Sequence, residues 1–76
     1  MENDKIHIIS SATEKNGTHE FQTEISEKPQ FMLDSEYNEL LLLCVINAVE
    51  DVCKKISPEQ SKRYGLYIAN KIAEKL

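Results

Sequence analysis

The sequence predicts a small α+β domain of order ββαα, with an N-terminal antiparallel hairpin packed on a two-helix unit. Three observations point there. An Asn16-Gly17 pair separates two stretches rich in alternating apolar residues; a long apolar stretch follows a proline break; and a Ser-Pro-Glu-Gln run opens a second helical pattern. The chain of 76 residues is predicted to form one domain, 1–76, because independent cores take about 50–200 residues. With 41% hydrophobic residues it has enough apolar side chains to fold rather than stay disordered.

The hairpin is assigned to residues 5–26. One arm holds Ile6, Ile8 and Ile9, and the other holds Phe21, Thr23 and Ile25. Asn-Gly is the strongest short-range signal for a two-residue type I′ turn, because both central residues must take positive φ. A two-residue loop sets Lys15 opposite Thr18, Ala12 opposite Phe21 and Ile8 opposite Ile25. Ile6, Ile8, Ser10, Ala12, Phe21, Thr23 and Ile25 then share one face, and His7, Ile9, Ser11, Thr13, Glu20, Gln22, Glu24 and Ser26 lie on the other. That segregation is the mark of a half-buried hairpin. Lys28-Pro29-Gln30 ends the strand pattern, and Phe31, Met32 and Leu33 form an apolar connector expected to tuck over one end of the core.

A first helix is predicted over 35–56, with Asp34 or Ser35 as its cap and Glu36 where the helix dipole favours an anion. At about 100° per residue, Leu41, Val45, Ala48, Val49, Val52 and Ile56 make one apolar stripe, expected to cover the hairpin. Leu40, Leu43 and Ile46 fall outside it. Because the run over 40–46 is apolar all round, these three residues are the candidate interface with another molecule. A second helix is predicted over 58–75, with Ser57 at the cap, Pro58 at the first position and Gln60 at the third. Its apolar stripe of Gly65, Ile68, Ala69, Ile72, Ala73 and Leu76 includes small residues that would allow close approach to a neighbour.

Composition narrows the function. The formal charge is −4, from 13 acids and 9 bases, which argues against a general nucleic-acid binder. Residues 1–30 carry six acids, Glu2 and Asp4 among them, against three lysines, an acidic surface suited to a basic partner. The seven-residue run over 40–46 falls far short of the ~20 residues that span a bilayer, and the N-terminus lacks a signal-peptide pattern, so the expected location is cytoplasmic. Cys44 and Cys53 sit nine apart on one predicted helix, about 13–14 Å along its axis, and so are read as free thiols.

No catalytic constellation stands out, and no metal or cofactor is implied. The two glycines, Gly17 and Gly65, make no phosphate loop, and His7 and His19 fall on opposite hairpin faces. The expected protein is therefore a non-enzymatic adaptor or inhibitor, of phage or mobile-element type, acting as a homo-oligomer (a dimer) that binds another protein. One alternative is a small-ligand or nucleotide-binding protein. Its anion site would lie at the helix–helix corner, where Lys54, Lys55, Lys62 and Arg63 bracket Ser57. A second alternative is a transcriptional regulator using the two-helix unit, weakened by the acidic charge.

Overall fold

A computed structural model describes residues 5–76; Glu2 and Asp4, counted above in the acidic N-terminal charge, lie outside the described residues. Strand β1 (Ile8–Lys15) is followed by β2 (Thr18–Ile25), helix α1 (Asp34–Ile56), a 3₁₀ turn (Pro58–Gln60) and helix α2 (Ser61–Lys75). This is the predicted ββαα order of a small α+β fold. The chain divides into two compact units, 1–44 and 45–76, with α1 contributing to both.

In the first unit the hairpin has the register that the turn demands. Ile8 pairs with Ile25, Ala12 with Phe21 and Lys15 with Thr18. Asn16 takes φ 54° and Gly17 φ 83°, the two positive values of a type I′ turn. Beyond the strands, Ser26 N donates to His7 O at 3.1 Å and His7 N to Ser26 Oγ at 3.0 Å, extending the pair at its open end. On the polar face, His7 Nε2 lies 3.8 Å from Glu24 Oε2.

The apolar face of the hairpin is covered only near that open end. Ile6 and Ile8 are half-buried, but Phe21 is 77% exposed and Ile25 54%. Both side-chain ties from α1 explain this, because they reach the hairpin at its base. The Tyr37 hydroxyl donates to Ser26 O, and the Cys44 thiol donates to Ile6 O at 3.9 Å. Tyr37, Leu40, Leu41 and Cys44, spaced i, i+3, i+4 and i+7, form the half-buried face of this part of α1.

The connector also departs from expectation. Met32 is half-buried, whereas Phe31 and Leu33 are exposed. A turn closed by Met32 N to Pro29 O at 3.1 Å, and braced by Lys28 Nζ on Met32 O at 2.7 Å, directs only Met32 inward. The first helical bond runs from Tyr37 N to Leu33 O at 2.9 Å, so Leu33 holds the cap position expected for Asp34 or Ser35. Asp34 and Glu36 lie in the first turn and Lys54 and Lys55 in the last, each sign complementing the dipole.

In the second unit, α2 begins three residues later than predicted. Ser57 Oγ accepts from Gln60 N at 3.3 Å, as a cap should, but the turn that it caps is the 3₁₀ segment. Ser57 N donates to Cys53 O at 3.0 Å, so the reciprocal half of a capping box is absent at this position. Cys53 is buried, Val49 is half-buried on the same α1 face, and Gly65 and Ile68 are half-buried on α2. Gly65, Ile68, Ala69 and Ile72 line an apolar groove of about 240 Å³ with Val45 and Val49. The close approach expected of the small α2 residues is not realised: a β-carbon at Gly65 would meet nothing within 4 Å, and Ala69, Ile72 and Ala73 are exposed.

The expected continuous stripe of α1 is not buried. Val45, Ala48, Val52 and Ile56 are exposed. Among the described residues only Cys53, at 3% exposure, is buried. The first part of α1 is held by the face bearing Tyr37 and Cys44, and the second by that bearing Val49 and Cys53. Neither coincides with the stripe chosen from apolar periodicity.

Candidate functional site

The most prominent surface feature is apolar. In the middle of α1, Leu42 is 65% exposed, Ile46 61% and Leu43 49%. Leu43 and Ile46 are two of the three interface residues that the sequence suggests. The third, Leu40, belongs to the half-buried face with Tyr37 and Cys44. Leu42, beside Leu41 of the predicted stripe, is the most exposed of the run. Nothing in the periodicity could have shown this, because every residue over 40–46 is apolar. Leu66 and Tyr67 on α2 and Phe31 in the connector are further large apolar side chains open to solvent.

The basic corner is more dispersed than the sequence suggested. Lys54 and Lys62 border one open cavity of about 420 Å³, together with Glu50, Ser61 and Val49. Arg63 borders a different one, about 350 Å³, with Gln60, Tyr64 and Tyr67. Lys55 is exposed. Lys54 Nζ lies 2.8 Å from Glu50 Oε2, one turn back on the same helix. The hydrogen bond and charge of Lys54 hold the Glu50 carboxyl below its ordinary range, and Glu50 in turn raises the Lys54 ammonium. The Ser57 hydroxyl is engaged by Gln60 N and its backbone N–H by Cys53 O. Of the five residues proposed for an anion, two therefore come together, and one of these already faces a carboxylate.

Cys44 and Cys53 are both free thiols. Among the described residues no three His, Cys, Asp or Glu side chains gather as a metal site would require. No helix of the described residues is long and apolar enough to cross a membrane. A cation–π contact places Lys71 Nζ 5.5 Å from the Tyr67 ring centre, adding a basic margin to the aromatic face of α2.

Compared with protein-family models, curated proteins and solved structures, the chain matches none.

Proposed function

We propose that the protein is a small self-associating interaction module, an adaptor or inhibitor without catalytic activity, whose copies meet through the apolar middle of α1. The observation that carries this reading is the exposure of Leu42, Leu43 and Ile46 in a chain with a single buried residue among those described. Apolar area of this kind is removed from water with a gain of roughly 25 cal/mol per Å², so an uncovered leucine-rich run favours a partner. A second copy is the simplest partner, because a two-fold axis presents the same patch to itself. The acidic N-terminal third is then the surface offered to another, basic protein.

The anion-binding alternative has less support, since Lys54 is held by Glu50 and Arg63 borders a separate cavity. Light scattering after size exclusion tests the main reading. The expected wild-type mass is two chains or more at high micromolar concentration, and Leu43→Glu should lower it. A wild-type mass of one chain removes the self-association reading.

A further inference from the structure

We infer that the free edge of β1 is a pairing site for β1 of a second copy, so that association extends the two-stranded hairpin into a four-stranded antiparallel sheet. The inference rests on the self-association reading and specifies a contact which that reading does not contain. Its first support is the direction of the backbone groups. Ser26 N donates to His7 O, so His7 and Ser26 form a hydrogen-bonded pair. Hydrogen-bonded and non-bonded pairs alternate along an antiparallel ladder. Combined with the observed register, this turns the N–H and C=O groups of Ile9, Ser11, Thr13 and Lys15 toward β2. Those of Ile8, Ser10, Ala12 and Glu14 therefore point away from it.

Nothing among the described residues meets the outward backbone groups of Ser10 and Ala12, and both residues are exposed. Further back along the same edge, the outward carbonyl of Ile6 is met, by the Cys44 thiol. Among the described residues the edge thus finds a partner where α1 is within reach and is open beyond it.

The second support is charge. Sheet edges are usually blunted by charged side chains, proline or a bulge. From Ile8 to Thr13 β1 carries no charge and no proline, and its pairing with β2 is unbroken across all eight positions. Strand β2 carries Glu20 and Glu24. A β2–β2 contact centred on Gln22 would set Glu20 opposite the partner's Glu24, a like-charge pair that destabilises a sheet, and one centred on Phe21 or Thr23 would leave glutamates diagonal to one another on the same face. A β1–β1 contact centred on Ser10 or Ser11 meets no such cost. Pairing β1 with the β2 of a next copy would repeat without closing, whereas β1 with β1 closes about a two-fold axis normal to the sheet.

Amide hydrogen exchange of the full wild-type chain, read residue by residue by NMR at low and high micromolar concentration, tests this. The expected result is that Ser10 and Ala12 amides slow by about tenfold or more as the chain associates. Ser11 and Thr13 amides should be protected at both concentrations, and Phe21 and Thr23 amides should exchange freely at both. An associated chain whose Ser10 and Ala12 amides still exchange freely overturns the edge inference alone. A one-chain mass overturns both it and the self-association reading. New protection of the Phe21 and Thr23 amides in the associated chain points to unclosed β1–β2 pairing and also overturns it. In the variant arm, Ser10→Pro removes an outward donor and should weaken association while Ser11 and Thr13 stay protected. Unchanged association of that variant counts against the inference.

Discussion

Asn16 and Gly17 were legible in the sequence because their effect is local: a two-residue turn of this type needs two positive φ values, and few residues tolerate them. Around Gly17 there is free space for a β-carbon, so a substitution there meets strain from φ rather than a clash. Gly17→Val should therefore cost about 1–2 kcal/mol in denaturant unfolding. Tyr37 was not legible. Its hydroxyl binds Ser26 O across a connector whose path no local signal specifies. Tyr37→Phe keeps the ring and removes that bond, so it should cost about 1 kcal/mol, read as a lower urea midpoint with an unchanged slope. The Glu50–Lys54 pair is a solvent-exposed contact. Glu50 titrates below its ordinary value when folded, so its contribution is present above that value and fades as pH falls through the lowered one. Lys54 titrates above its ordinary value, so its contribution is full below that value and fades as pH rises through the raised one. At neutral pH both are present, and solvent screening keeps the pair weak. Glu50→Gln should leave the melting temperature within error of wild type.

At the scale of elements, strands, turn and helices follow from pattern, but the buried face of α1 does not. Periodicity identifies a face only when polar residues mark the opposite one, and over 40–46 there are none. Tertiary ties decide instead: Tyr37 and Cys44 engage the hairpin base, while Cys53 is buried where α2 brings Gly65 and Ile68. On α2, where Arg63, Asn70 and Lys71 mark a polar side, the predicted stripe is met only in part: Gly65 and Ile68 are half-buried, whereas Ala69, Ile72 and Ala73 are exposed. The two thiols report on these environments. A thiolate reacts according to its exposure and surroundings, so Cys53 should label slowly with a thiol reagent until the chain unfolds. Cys44, half-buried and bonded to Ile6 O, should label faster than Cys53 and slower than the unfolded chain. Equal native rates at the two positions would show that the Cys53 side of α1 is open in solution.

For the whole molecule, the decisive fact is how little each unit buries. Small chains are marginal because conformational entropy nearly cancels what a small core contributes, and here one described residue is buried. If the copies associate as proposed, association becomes part of stability, and the unfolding midpoint should rise with protein concentration. The two proposed isologous contacts, one through Leu43 and Ile46 and one through β1, would close a dimer if they share an axis and a tetramer if their axes cross at right angles. The light-scattering mass distinguishes the two. Leu40 and Leu43 separate folding from association, because Leu40 is half-buried beside Tyr37 and Leu43 is open. Leu40→Glu places a charge in a partly apolar site and should lose helical circular dichroism, with a cost of several kcal/mol. Leu43→Glu should keep that signal and lower the mass. If instead Leu43→Glu keeps the wild-type mass, the apolar middle of α1 is not where the copies meet, and the β1 edge must account for association alone.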